Sequence, residues 1–370
     1  MRLTSLLARN FRNLEELHLS FDAQRNLLIG KNGAGKSNVL EAIYYLCVSR
    51  SPRGALDGEL VRWGADFFHL EGRGERRRGP FEVTATVRGG QKEVGFNGVR
   101  LARISELVGE IAVVSLSQDD TKLTKGPPGQ RRRFLDIAVS QISRIYLQML
   151  NDYRRTLQQR NRVLLVARES GGVRAESLEP WDEQLVSLGA RIIVERQSAM
   201  EELAPRAIAL YGQLGGGRDS MDLVYAPTVG DGTGMSGDEL ANEFRDKLVR
   251  TRRAEIERGQ TLVGPHRDDI EVAVGGRNLR TYGSEGQHRS AAIALRLGEA
   301  DLLRRHIGED PVFVLDEVFS ELDRDRAGAL VTILEEWEQI FLATTRSDSI
   351  EARDLEAATF LLEDGAFVEG

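Results

Sequence analysis

Residues 30–37, Gly-Lys-Asn-Gly-Ala-Gly-Lys-Ser, constrain this chain more than any other feature. A phosphate-binding loop needs a strand before it and a helix after it, because its glycines turn backbone N–H groups inward at a helix N-terminus. Residues 26–29, Asn-Leu-Leu-Ile, form a short apolar run suited to a buried strand. Beyond the loop, Val39, Leu40, Ile43, Leu46 and Cys47 recur at helical spacing, which predicts an amphipathic helix over Lys36–Val48. In that setting the backbone of Gly30, Lys31, Asn32, Gly33, Ala34 and Gly35 would cradle phosphate oxygens, with Asn38 on the first helical turn. Lys36 would reach the β- and γ-phosphates, and the Ser37 hydroxyl would hold Mg²⁺. The expectation is a binder of a nucleoside triphosphate with its Mg²⁺.

With 370 residues the chain can form one large domain or two. Its formal net charge of -7 argues against indiscriminate polyanion binding, so any nucleic-acid contact must come from a local basic face. A single cysteine, Cys47, excludes an intramolecular disulfide and a Cys-based zinc site. Cys47 falls on the apolar face of the helix and reads as a buried structural thiol. No secretion signal or run of membrane-spanning length is evident, so a cytoplasmic protein is expected.

Residues 1–115 read as α/β with much strand. Leu17, Leu19 and Phe21 alternate, as do Phe81, Val83, Ala85 and Val87, with Gly89-Gly90 and Asn97-Gly98 as turns. Residues 116–260 read as a mostly helical insertion. Helical stretches over 134–167 and 181–214 are broken at Gly171-Gly172, a strand lies at 221–225, and Ser236 with Glu239 opens a helix to about Glu257. Residues 261–370 resume the α/β pattern, with strands at 270–274, 312–315 and 340–343 and helices at 285–306 and 324–337. A helical lobe thus interrupts one nucleotide-binding domain built from both ends of the chain.

Residues 312–317, Val-Phe-Val-Leu-Asp-Glu, end an apolar strand in two carboxylates. A central strand would deliver Asp316 beside the phosphate loop to hold Mg²⁺, while Glu317 orients and polarises the attacking water. The catalytic expectations are therefore Glu317 and Lys36. Residues 284–287, Ser-Glu-Gly-Gln, place a hydroxyl and a glycine at another helix start. One nucleotide needs one cradle, so a second suggests that the γ-phosphate is grasped by a partner subunit. Asp323, closing Ser320-Glu321-Leu322-Asp323, would cross the same interface.

The order of phosphate loop, Gln118, Ser-Glu-Gly-Gln, Asp316-Glu317 and Ser320-Glu321-Leu322-Asp323 resembles the ABC-type ATPase heads, and among them the SMC-type heads. Asn10-Phe11-Arg12-Asn13 resembles the DNA-repair branch of that group. Residues 126–136, Gly-Pro-Pro-Gly-Gln-Arg-Arg-Arg-Phe-Leu-Asp, and residues 264–269, Gly-Pro-His-Arg-Asp-Asp, are similar to the bacterial RecF family of recombination mediators. The resemblance covers essentially the whole length. It implies an ABC/SMC-type P-loop ATPase head with a mostly helical second lobe, acting in DNA replication, recombination and repair, including the SOS response to DNA damage. It further implies an ATP-driven homodimer that clamps duplex DNA at single-strand gaps and works with RecO and RecR to help load RecA. Slow, DNA-stimulated hydrolysis of ATP to ADP and phosphate would reset the clamp. By the same resemblance Arg12 lies close to the nucleotide, Gln118 joins Ser37 and Asp316 at Mg²⁺ and links it to the second lobe, and Ser284, Gly286 and Gln287 complete the neighbour's ATP site.

Two departures stand out: Gly283 replaces the usual leucine before the signature serine and Glu285 the glycine after it, and Thr344-Thr345 follows the strand where many ABC ATPases carry a γ-phosphate histidine. Both point to slow turnover. Arg131, Arg132 and Arg133 could form a phosphate-tracking DNA face or an ion-pair network. His266 could serve the family motif or simply bond within the fold. Residues 73–78 read as a basic loop, and Trp63, Trp181 and Trp337 as packing residues. An ATPase subunit of an ABC transporter is the alternative reading, disfavoured by the long interval between phosphate loop and signature. A structural SMC-like linker would need a long coiled coil, which the sequence lacks.

Overall fold

The computed structural model describes residues 1–170, 177–217, 219–230, 235–345 and 357–368. The expected Gly171-Gly172 break lies outside these residues. The chain opens with strands β1 (Arg2–Phe11), β2 (Leu14–Ser20) and β3 (Arg25–Ile29) and helix α1 (Lys36–Val48). Strands β4 (Phe67–Arg76), β5 (Gly79–Arg88), β6 (Gln91–Phe96), β7 (Val99–Arg100) and β8 (Val113–Ser117) follow. Next come helices α2 (Thr121–Lys125), α3 (Pro128–Ile142), α4 (Arg144–Glu169) and α5 (Glu179–Gly215). After them run β9 (Met221–Ala226), α6 (Gly237–Arg258), β10 (Asp269–Val274), β11 (Arg277–Asn278) and α7 (Leu279–Tyr282). The chain closes with α8 (Glu285–Ile307), β12 (Val312–Asp316), α9 (Arg324–Leu334), β13 (Ile340–Thr344), β14 (Ala358–Glu363) and β15 (Ala366–Val368).

These elements form two compact units. The first gathers Met1–Thr121, Ala209–Asp219 and Ser284–Gly370; the second holds Lys122–Ile208 and Ser220–Gly283. In the first unit one sheet is antiparallel, in the order β2-β1-β4-β5-β6-β7. The other runs β15-β14-β3-β13-β12-β8, parallel except at β15. Helix α1 packs against strands of both sheets. That position explains a departure from the amphipathic expectation: Val39 through Cys47 are buried without a break, because a helix between two sheets has no solvent face. Cys47 is buried there as expected, and burial pushes its thiol pKa well up.

The domain boundaries differ from those expected at 115/116 and 260/261. Gln118 stays with the first unit, and residues 261–283 join the second. The reason is pairing. β10 lies antiparallel to β9, from Asp269 opposite Ala226 to Val274 opposite Met221, and takes no place in the parallel sheet. The helical stretch expected over 134–167 also breaks, at Ser143, whose hydroxyl accepts the Tyr146 N–H and starts α4 afresh. The basic run 73–78 is mostly strand, since β4 continues to Arg76 and pairs with β5 up to Gly79. Trp337 is buried against Phe313 as expected, but Trp63 is 99% exposed and packs no core.

Candidate nucleotide-binding site

The phosphate loop connects β3 to α1, and its glycines meet distinct demands. A side chain at Gly30 would collide with the Leu362 carbonyl of neighbouring β14, and Gly35 stands at φ 104, where only glycine is unstrained. No side chain caps α1, so its first N–H groups remain available to an anion. Asn13 braces the loop from the β1–β2 turn. Its amide donates to the Gly33 carbonyl at 3.0 Å and its Oδ1 accepts from Asn38 at 2.7 Å. Lys36 is 5% exposed; its Nζ donates to the carbonyls of Gly30 (2.7 Å) and Lys31 (3.2 Å) and stands 3.6 Å from Glu317 Oε1.

The parallel register brings the other half of the site to the same sheet edge. Asp316 closes β12 level with Ala343 of β13 and Ser117 of β8. The Ser37 hydroxyl donates to Asp316 Oδ1 at 2.7 Å, across 279 positions of sequence. Glu317 follows in a left-handed conformation, φ 53, an uncommon state for a non-glycine residue that turns the chain off the strand. Gln118, just past β8, donates to Ser320 Oγ at 2.8 Å and to the Glu317 carbonyl at 3.3 Å. A hydroxyl, a carboxylate and an amide oxygen are hard donors of the kind Mg²⁺ takes when phosphate oxygens complete its shell. The residues present therefore fit that ion. Among the described residues no cluster of three or more His, Cys, Asp or Glu offers an all-protein metal site.

Arg12 sits on the β1–β2 turn at φ 55 and grips Glu41 of α1 with two bonds, at 2.9 and 3.1 Å. Glu41 is 1% exposed, so this guanidinium supplies the countercharge a buried carboxylate requires.

The residues expected to act as the signature form a second cluster. Ser284 caps α8 in a reciprocal capping box with Gln287, whose side-chain amide also donates to Asp219 at 2.8 Å. Gly286 packs directly beneath the Arg326 guanidinium, which would have to shift to admit a Cβ. Asp323 caps α9 by accepting the Arg326 N–H at 2.9 Å.

The three candidate DNA arginines part company. Arg131 is 5% exposed, pairs with both oxygens of Asp269 (2.7 and 2.9 Å) and donates to the carbonyls of Leu123 and Gly126. This corrects the reading of Arg131 as a DNA contact: it is an internal tie. Arg132 donates to the Asp268 carbonyl at 2.6 Å, and only Arg133 is exposed. His266 bonds within the fold, accepting from the Tyr153 hydroxyl (2.7 Å) while its Nε2 faces the Thr261 carbonyl (3.2 Å).

Sequence reasoning missed two residues here. Asn13 lay inside a quoted motif without a role. Arg53, which donates to Asp316 Oδ2 at 2.9 Å, lay in a Ser-Pro-Arg-Gly loop that carries no signal.

A family model for an AAA ATPase domain matches residues 1–70, the segment that contains the phosphate loop. Across 368 residues the sequence is 36% identical to the DNA replication and repair protein RecF of Geobacillus thermodenitrificans, covering 99% of each. The fold is similar to that of the recombination mediator protein RecF-ATPrS in the RecFOR pathway, at a TM-score of 0.91 and 31% identity, over 99% of this chain and 97% of that one. It is also similar to the Smc head domain of Pyrococcus furiosus (TM-score 0.56, 15% identity, 99% and 94% coverage), which bears on the fold alone. The fold is the expected one, an ABC/SMC-type P-loop ATPase head with a mostly helical second lobe. Among the described residues no helix is long and apolar enough to cross a membrane.

Proposed function

This chain belongs to the RecF family of ATP-binding DNA replication and repair proteins, and on that premise we propose that it is an ATP-gated DNA clamp acting in recombination and repair. The observation that carries the reading is the convergence of Lys36, Ser37, Asp316 and Glu317 at one sheet edge, from segments 279 positions apart. In this proposal the loop 30–37 with Asn38 binds the triphosphate, Lys36 neutralises the β- and γ-phosphates, and Arg12 lies near the nucleotide. Ser37, Asp316 and Gln118 hold Mg²⁺, which supplies charge neutralisation between the phosphates when bound. Glu317 accepts a proton from the attacking water, and ATP gives ADP and phosphate.

Ser284, Gly286, Gln287 and Asp323 serve the neighbouring subunit's γ-phosphate, so ATP drives homodimer formation. Thr344 and Thr345 in place of a γ-phosphate histidine support slow turnover, suited to a timed switch that DNA accelerates. The dimer closes on duplex DNA at a single-strand gap in the cytoplasm and, with RecO and RecR, helps load RecA. Arg133 is the exposed arginine of its cluster and the one suited to touch a phosphate.

Fluorescence anisotropy on a labelled gapped duplex tests this reading, with and without ATP across a salt series. A chain of net charge -7 should bind weakly without nucleotide and much more tightly with ATP, with a slope near −0.9 per phosphate contact. Equal affinity in both conditions would remove the ATP gate.

A further inference from the structure

Arg53 lies between α1 and the isolated bridge at Val61, outside every motif described above. Yet both oxygens of Asp316 are taken by groups of this chain: Oδ1 by the Ser37 hydroxyl at 2.7 Å, and Oδ2 by Arg53 Nη2 at 2.9 Å. The same guanidinium reaches a second carboxylate, with Nη1 3.8 Å from Glu41 Oε2. Glu41 is already held by Arg12 and by the Ser51 hydroxyl at 2.5 Å. Two carboxylates and a cation are thus arranged so that the cation has somewhere else to go.

Adjacent acids built to receive a divalent ion repel one another when that ion is away. Lys36 answers Glu317 at 3.6 Å, and Arg53 answers Asp316. Arg53 is 40% exposed and Asp316 20%, so the pair adds little to fold stability, and water can replace it. A guanidinium is weakly hydrated and planar, which suits it to a carboxylate oxygen it must later release.

The geometry points to Arg53 as an exchangeable counter-ion for the metal. It neutralises Asp316 in the nucleotide-free chain, and it yields that carboxylate to Mg²⁺ and falls back on Glu41 when the metal–nucleotide arrives. Arg53 is a positioning residue whose release sets a threshold for metal loading. This inference rests on the ATP-switch reading of the same site.

Titration of Mg²⁺ into the full chain with a fluorescent ATP analogue tests it. In Arg53→Met the Mg²⁺ midpoint should fall about three- to fivefold, since a partly exposed pair no longer competes. Arg53→Lys keeps the charge but not the planar, weakly hydrated head, so its midpoint should fall between those of the Met variant and wild type. At saturating Mg²⁺ the Met variant should bind the analogue within about twofold of wild type. In an Asp316→Asn background, Arg53→Met should change nothing further, because the shared partner is gone. An unchanged or raised midpoint with binding intact would overturn the inference alone. A loss of more than about tenfold at saturating Mg²⁺ would overturn it too, making Arg53 a phosphate contact. Failure of the wild-type chain to bind the analogue at any Mg²⁺ concentration would sink the underlying reading as well.

Discussion

Replacing Arg131 by alanine should damage the second unit without touching DNA affinity directly, and the size of the damage follows from its contacts. Arg131 is 5% exposed and its partner Asp269 28%. Breaking a fully buried pair costs about 3–5 kcal/mol, but water can reach Asp269, so about 1–2 kcal/mol is the fairer share here. The carbonyls of Leu123 and Gly126 also lose their donor, one in a buried bond and one in a partly buried bond, adding about 1–2 kcal/mol. The sum is about 3 kcal/mol. Because the chain has two units, a single unfolding midpoint would blur the effect. Hydrogen exchange resolved to peptides from α3 and β10 localises it, and about 3 kcal/mol corresponds to roughly 150-fold faster exchange through opening of that unit. Arg133→Ala should do the reverse, leaving exchange unchanged while lowering the DNA salt slope by about 0.9 if it meets a phosphate. Exchange that accelerates less than about fivefold in Arg131→Ala, together with a flattened salt slope, would refute this reasoning and return Arg131 to the DNA face.

Glu317→Gln keeps size and hydrogen bonding but removes the proposed base beside Lys36, so ATP should bind and persist and a dimer accumulate; a monomer by light scattering under saturating ATP would contradict it. His266 gives a pH prediction. Burial, opposed by its bond to Thr261 and aided by Arg267, Arg132 and Arg160, pushes its pKa down to about 4. The unfolded chain takes up that proton first, so the stability held by neutral His266 is complete above about pH 6.5 and lost as pH falls towards 4. The loss amounts to about 3 kcal/mol. Exchange in the second unit, compared between wild type and His266→Gln from pH 7.5 to 4.5, should converge at the acid end; parallel profiles would count against it.

The phosphate loop, β12 and α8 were legible because each is written locally: a glycine pattern, an apolar run and a capping box need no knowledge of the rest of the chain. The head fold was legible for the same reason, through the order of those motifs. What escaped is what pairing decides. Nothing near residue 270 says that β10 pairs with β9 rather than joining the parallel sheet, so the second boundary fell short of residue 283. Arg131 sits in a basic run that leaves a DNA face and an ion-pair network equally open, and the choice falls to Asp269, 138 positions away, with the nearby carbonyls of Leu123 and Gly126. Arg53 has no pattern at all until folding delivers Asp316 to it across 263 positions.

The strand that carries the phosphate loop has a consequence for how this protein comes into being. β3 is flanked by β13 and β14, both from the far end of the chain, and Asn26 bonds Ile340 across 314 positions. At typical ribosomal speeds of about 5–20 residues per second, β3 emerges and then waits roughly 15–60 seconds for its neighbours. Its apolar Leu27, Leu28 and Ile29 go unpaired throughout. The hydrogen-bonding partners of β4 and β5 are close in sequence, so the antiparallel sheet can assemble early and give α1 a wall to lean on. The nucleotide site therefore forms late: it cannot assemble until β12, β13 and β14 have been made, and a polypeptide interrupted before them lacks it.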